Sequence, residues 1–131
     1  MPPYHYLDSS AIVKLVIHEP ESAALRRFSR RNPDQATSGL AWAEVQRAVR
    51  RAEPSALTRA RQALDGLLAI GVTPGILADA AKLDPIEVRT LDAIHLASAM
   101  TLAAELVAIV TYDDRMARAA MASGIAILSP R

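Results

Sequence analysis

The chain contains no cysteine among its 131 residues, which removes a disulfide framework, a thiolate nucleophile and a sulfur ligand for a soft metal. Any metal site must then be built from oxygen or imidazole. Aromatic side chains are scarce, with one Trp, one Phe and three Tyr, so there are few platforms on which successive bases could stack. That scarcity favours a structured RNA held by shape and phosphates over a single strand read by stacking, if RNA is bound at all. Long uninterrupted apolar runs are also missing. The longest, Ala93 to Val110, is broken by His95, Ser98, Thr101 and Glu105, which argues against a membrane span. The opening MPPYHYLDSS has neither the basic start nor the long apolar stretch of a secretory signal. A cytoplasmic protein is expected. No repeat or low-complexity linker divides the sequence, so a single domain over residues 1–131, large enough for one core, is expected.

Lysine is nearly absent as well. The 15 basic residues are 13 Arg and 2 Lys, set against 14 acidic residues for a net charge of +1. Arg offers a planar fork suited to phosphate and carboxylate, although a general compositional preference for Arg explains the count equally well. Arg26, Arg27, Arg30 and Arg31 gather near the end of a second helix, and Arg47, Arg50 and Arg51 share the polar side of a third. Such clusters either hold a phosphate backbone or simply face solvent.

Apolar periodicity predicts alternating strands and helices. Tyr4 to Leu7 reads as a strand ending in the helix-entry signal Asp8-Ser9-Ser10, which leads into a helix over Ala11 to His18. A helix opening at Pro20 runs to Phe28, and Gln35 to Ser38 forms a short second strand. The stripe Ala41, Val45, Ala48, Val49 and Ala52 predicts a helix that Pro54 breaks, followed by another over Ala56 to Ile70. Val72 to Pro74 is the expected third strand, and a short helix over Ile76 to Leu83 ends before Pro85. Thr90 is expected to cap a helix from Leu91 to Ala104. Leu106 to Thr111 is a β-prone run of the kind covered on both faces. Met116 to Ser123 is helical with Gly124 as its C-terminal cap, and Ile125 to Leu128 is the last strand. The expected class is α/β: a three-layer α/β/α sandwich around a parallel sheet of four to five strands.

Four carboxylates fall at the boundaries of these elements: Asp8, Glu44, Asp92 and Asp113. Each interrupts or closes a segment that otherwise reads as buried, and an unpaired buried carboxylate is expensive. One such residue near a helix start is ordinarily a cap or a dipole partner. Four at the same end of one sheet point to a shared cation. In open parallel sheets that end is the ligand crevice, at the point where strand order reverses. If the strands preceding Asp8 and Asp113 are neighbours there, both side chains reach it.

The segments YLDSSAIVKL, AEVQRA around Glu44, VRTLDAIHLASA and VTYDDRMARAA resemble the PIN-domain ribonucleases, and more specifically the VapC toxins of toxin–antitoxin pairs. The resemblance runs from the first strand to the last and keeps order and approximate spacing. It implies a PIN-like fold and a metal-dependent endoribonuclease. It also implies an acidic metal site of Asp8, Glu44, Asp92 and Asp113, with Asp8 and Asp92 the most direct ligands. Asp113 is preferred over Asp114 because it falls right after the strand. Carboxylate oxygens suit Mg²⁺, with Mn²⁺ as a substitute. Such ions activate water and stabilise the leaving oxygen of a phosphodiester, so no covalent nucleophile is needed. The resemblance further implies an RNA substrate, a cognate antitoxin whose tail covers the crevice, and a toxin homodimer for which Trp42 and the first two helices offer apolar contacts.

Ser10 either orients Asp8 or a water, or caps its helix. His95, one turn after Asp92 in an apolar helix, reads as a structural hydrogen bonder, and Arg89 reads as a partner of Glu87, of a site carboxylate or of phosphate. Two other classes stay open. A receiver or phosphatase-like domain also gathers Asp residues around Mg²⁺ but relies on a late lysine, and this chain has only Lys14 and Lys82. An inactive binding module of the same fold would act through its partner alone.

Overall fold

In the computed structural model, which describes residues 3–131, the β-prone runs become five parallel strands and the amphipathic stretches between them become helices. The strands are β1 (Tyr4–Leu7), β2 (Gln35–Ser38), β3 (Leu68–Ile70), β4 (Leu106–Val110) and β5 (Ile127–Leu128). The helices are α1 (Ser9–Val16), α2 (Ser22–Arg31), α3 (Leu40–Ala52), α4 (Leu57–Asp65), α5 (Pro74–Ala81), α6 (Thr90–Met100) and α7 (Asp114–Ala122). Sheet order is β3-β2-β1-β4-β5, with every pairing parallel. Strand order therefore reverses between β1 and β4, which are direct neighbours, in register from His5 opposite Ala108 to Leu7 opposite Val110.

Successive strand residues point to opposite faces, and this divides the core. Leu7 and Val110 pack on one face with Ile12, Leu25, Val45, Val49 and Leu64 from α1 to α4. Tyr6 and Ile109, their immediate neighbours, pack on the other with Leu96 of α6 and Met116 of α7, while Ile76 of α5 packs against Ile94. The result is the expected α/β/α sandwich.

Several boundaries differ from expectation, each for a local reason. The third strand is Leu68–Ile70, not Val72–Pro74, and α4 stops at Asp65 with Gly66 as its cap. The predicted helix to Ile70 overran because Ala56, Ala60, Leu64 and Leu67 continue the helical spacing past the break. Helix α6 ends at Met100 rather than Ala104: Thr101 and Leu102 turn out of it, and Ala103 takes a positive φ of 50°. Its N-cap position is Arg89, Thr90 being the first helical residue. Helix α2 begins at Ser22 rather than Pro20. Gly124 closes α7 as expected. With φ of 75° it lets the Ile125 N–H reach the Ala120 carbonyl at 2.9 Å and its own N–H reach that of Met121 at 3.0 Å, the paired bonds of a Schellman cap.

Leu96 is fully buried in the β1–β4–α7 cluster, whereas Leu91, on the same helix, is 49% exposed. Leu96→Ala is expected to lower unfolding free energy by about 2–5 kcal/mol, and Leu91→Ala by less than about 0.5 kcal/mol. Urea denaturation of both variants measures the contrast, and equal losses would contradict this layer assignment.

Candidate active site

Asp8 leaves β1 in extended conformation and caps α1. It is 3% exposed, and its oxygens are supplied with donors from three directions. The Ala11 N–H donates to Oδ1 at 3.1 Å and the Ser10 hydroxyl to the same oxygen at 2.6 Å, while the Thr111 hydroxyl donates to Oδ2. Burial pushes the Asp8 carboxyl above its ordinary pKa, and these bonds pull against that shift. Ser10 and Thr111 do double duty: Ser10 Oγ accepts from the Tyr112 N–H at 3.0 Å, and Thr111 Oγ1 accepts from the Asp113 N–H at 3.1 Å. Two hydroxyls thus tie the turn after β4 onto the start of α1. Of the two roles open to Ser10, orienting Asp8 is the observed one, since the cap of α1 is Asp8 itself.

That turn delivers Asp113, the N-cap of α7, whose Oδ1 accepts from the Arg115 N–H at 2.9 Å. Asp114 follows in the exposed first turn. Glu44, half-buried on α3, is held through a single oxygen: Ser9 Oγ donates to Oε1 at 2.7 Å and His95 Nε2 lies 2.6 Å from the same atom. A carboxylate only accepts, so Nε2 carries the hydrogen. On the other side of the ring, Nδ1 lies 2.7 Å from the Tyr6 hydroxyl and is its hydrogen-bond partner. Burial, helped by the charges of Asp8 and Glu44, raises the Tyr6 pKa far above its usual value, so that hydroxyl keeps its proton. For Glu44, burial is the largest single influence and acts upward. The bonds from His95 and Ser9 outweigh it together, and its pKa is lowered.

Asp92 differs from the other three. It sits in the first turn of α6, half-buried, and no donor among the described residues reaches its carboxylate. Its pKa is raised, first by burial, next by the charge of Asp113, and further by Asp8 and Glu44, with His95 acting the other way. The charges of the other three sequence-predicted carboxylates thus act on Asp92, and Asp8 and Asp113 both follow strands that are neighbours at the β1/β4 reversal. Asp113 is the one of the Asp pair whose charge registers at Asp92. Among the described residues no three His, Asp or Glu side chains already stand close enough to cage an ion.

Two clefts flank the acidic centre. One, of about 370 Å³, is lined by Arg89, Asp92, Arg115 and Arg118. The other, of about 360 Å³, is lined by Ser9, Ser10, Lys14, Glu44 and Tyr112. Sequence reasoning missed Ser9, Thr111 and Tyr6 as supports of the acidic residues, and it missed Arg115 and Arg118 beside Asp92. The position of Thr111, directly after a strand and two residues before Asp113, was the available signal. Arg26 and the cluster around it, and Arg47, Arg50 and Arg51, line neither of the two clefts.

Comparison with known proteins follows the same outline. The family model described as PIN domain matches residues 5–121. The chain is 50% identical over 125 residues to Ribonuclease VapC46 of Mycobacterium tuberculosis, covering 95% of this chain and 96% of that protein. In fold it resembles the sarcin-ricin loop cleaving toxin VapC20 of M. tuberculosis, with a TM-score of 0.75 at 18% identity over 95% of this chain and 98% of the other. A toxin–antitoxin complex from Klebsiella pneumoniae gives a TM-score of 0.74 at 20% identity over 97% and 98% of the two chains.

The buried relay predicts a side-chain-specific stability effect. His95→Leu leaves the buried Tyr6 hydroxyl without its partner and Glu44 without its second donor, and is expected to lose about 1–3 kcal/mol. His95→Gln, which keeps an N–H near the Nε2 position, should lose clearly less. Equal losses in chemical denaturation would mean that His95 only fills space.

Asp92 predicts a pH-dependent effect of opposite sign. Its folded-state pKa is raised, so its contribution to stability is complete below the unfolded value near 3.8 and is lost as pH rises through the folded value. The dipole of α6 favours the ionised form at this position by about 0.3–1 kcal/mol, but the upward shift shows that burial and repulsion outweigh it. Without metal, Asp92→Asn should match the parent at pH 3 and equal or exceed it at pH 7, by no more than about 1 kcal/mol for so solvent-screened a group. A variant clearly less stable than the parent at pH 7 would make Asp92 a structural helix-start residue.

Proposed function

The chain belongs to the PIN-domain family, among the VapC ribonucleases, and from that membership we propose how its four carboxylates cut RNA as the toxin of a toxin–antitoxin pair. The observation that carries the proposal is Asp92: a carboxylate with no protein donor, held against the charges of Asp113, Asp8 and Glu44. Such a group calls for a cation. The donor set fits a hard divalent ion, since every candidate ligand is a carboxylate oxygen and no cysteine is present. Asp92 and Asp8 are the proposed direct ligands, with Glu44 and Asp113 completing the oxygen set. Mg²⁺ is the proposed ion, with Mn²⁺ able to replace it. When bound, such an ion supplies Lewis-acid stabilisation of the phosphodiester and a more acidic attacking water.

The protein's own part is positioning. Asp8 is locked by Ser10, Thr111 and the Ala11 N–H, and so offers a fixed oxygen rather than a mobile one. Glu44 spends Oε1 on Ser9 and His95, which leaves Oε2 to hold a water or take its proton. Asp113 stands at the start of α7, on the turn that Ser10 and Thr111 tie down. No covalent nucleophile enters, and the product ends are those of simple hydrolysis.

A receiver-like reading is not favoured. Those folds order their strands 2-1-3-4-5, whereas this sheet runs 3-2-1-4-5. The partners we propose are RNA, a cognate antitoxin that presents Arg or Lys to the acidic crevice, and a second copy of the chain. The single domain works in the cytoplasm on this reading, and no helix among the described residues is long and apolar enough to cross a membrane.

Purified protein free of antitoxin should cleave RNA in Mg²⁺ or Mn²⁺, stop in EDTA, and turn over poorly in Ca²⁺, whose larger coordination sphere places water less well. Asp92→Asn should lose cleavage by roughly 100-fold or more. Its melting temperature should also respond less to Mg²⁺ than the parent's, because an ion that binds only the folded state stabilises it. Mapping RNA ends after brief expression identifies the substrate. Cleavage that persists in EDTA would overturn the metal-dependent reading.

A further inference from the structure

Two clefts each carry one of the proposed site carboxylates, Asp92 in one and Glu44 in the other, and their cations are in different states. On the Glu44 side the only cation among the described residues is Lys14. It is already engaged by Glu21 at 2.8 Å and Glu19 at 3.6 Å, and it lies 5.0 Å from the centre of the Tyr112 ring. On the Asp92 side stand three guanidinium groups, Arg89, Arg115 and Arg118. None of them forms an ion pair with any described residue, although Glu87 and Asp92 line the same cleft. Arg89 occupies the N-cap position of α6, Arg115 the first turn of α7, and Arg118 lies one turn further along the same face. All three are exposed. The first turn of α6 borders this cleft, and α7 lines it along its length from Arg115 to Ala122.

We propose that Arg89, Arg115 and Arg118 form the subsite for the RNA phosphates adjacent to the one cut at Asp92. The subsite rests on the ribonuclease reading and extends it by naming where the strand runs. Asp92 itself lines the cleft, and three free planar forks beside it suit successive phosphodiesters. No aromatic side chain lines the cleft, so the grip is on the backbone and is independent of base identity. Arg47, Arg50 and Arg51 line a separate pocket of about 220 Å³ that contains none of the four carboxylates, and they belong to a different face.

The test uses the parent protein, Arg115→Ala/Arg118→Ala, and the rival pair Arg47→Ala/Arg50→Ala. Binding of a fluorescein-labelled random-sequence RNA oligonucleotide is followed by anisotropy over a NaCl series, with Ca²⁺ in place of Mg²⁺ to suppress turnover. The backbone N–H that Arg115 donates to Asp113 survives its substitution, and surface changes of this kind leave folding intact, which melting curves check. The expected result is weaker binding for the Arg115/Arg118 variant. Its plot of log affinity against log salt should be shallower by about 0.7 for each Arg removed, and KM should rise in parallel in Mg²⁺. The Arg47/Arg50 variant should follow the parent. A slope that falls only in the Arg47/Arg50 variant, or in neither, while the parent still cleaves, overturns the subsite alone. Unchanged RNA binding with lost binding of a co-expressed antitoxin assigns the cleft to an acidic protein segment and overturns it as well. A parent that neither binds nor cleaves RNA overturns the ribonuclease reading and the subsite with it.

Discussion

Placing the Asp8 carboxylate out of water is the constraint on which the rest of the architecture depends. An ionised carboxylate so fully enclosed is tolerable only if its oxygens find donors. Those donors come from the first turn of α1 and from the residue that follows β4, over a hundred positions away in the chain. Satisfying one buried charge therefore forces β1 and β4 to lie side by side and pins the turn that carries Asp113. The reversal of strand order, the start of α1 and the position of α7 are consequences of the same small network.

The acidic centre separates into residues that are held and one that is not. Asp8, Glu44 and Asp113 each give at least one oxygen to a protein donor, and each donor belongs to a different local device: a helix cap reinforced by hydroxyls, a histidine relay backed by Tyr6, and a second helix cap. The ordinary structural role and the functional role thus coexist in the same side chains: Glu44 and Asp113 each keep one oxygen clear of protein donors, whereas Asp8 has both engaged, Oδ2 by Thr111 alone. Asp92 has only the functional half. It bears the unrelieved repulsion of the group, and strain of this kind is expected to concentrate where activity requires it.

Much of this was legible in the sequence. The alternation of β-prone runs with amphipathic stretches indicated the fold class, and β1, β2 and β4 fall where expected, β1 and β4 on runs closed by Asp8 and Thr111 and β2 on the short segment Gln35–Ser38 between Asp34 and Gly39. The third strand was misplaced because helical spacing continues through Leu67, so that only Gly66 signalled the stop. The four carboxylates stood out because each breaks an apolar pattern. Their supports did not. Tyr6, Ser9 and Thr111 are unremarkable in their own segments and gain meaning only through partners 35 to 103 residues distant. The Arg clusters visible as sequence neighbours, around Arg26 and around Arg47, drew attention for their density. The cleft beside Asp92 assembles Arg89 with Arg115 and Arg118 from two helices whose convergence no local pattern encodes.

The edges of the sheet carry a consequence for assembly. β3 offers three residues of backbone and β5 only two, and both are too short to template a continuous ladder with another strand. Lateral extension of the sheet into a second molecule is therefore closed off, and any pairing of two copies has to bring helices together instead. The most exposed of the large apolar side chains are Ile86, before α6, at 81% and Met121 on α7 at 59%, with Leu68 on β3 and Leu128 on β5 open to a lesser degree. Pairing of two such chains would thus be a matter of shape and side-chain packing, with the sheet private to each.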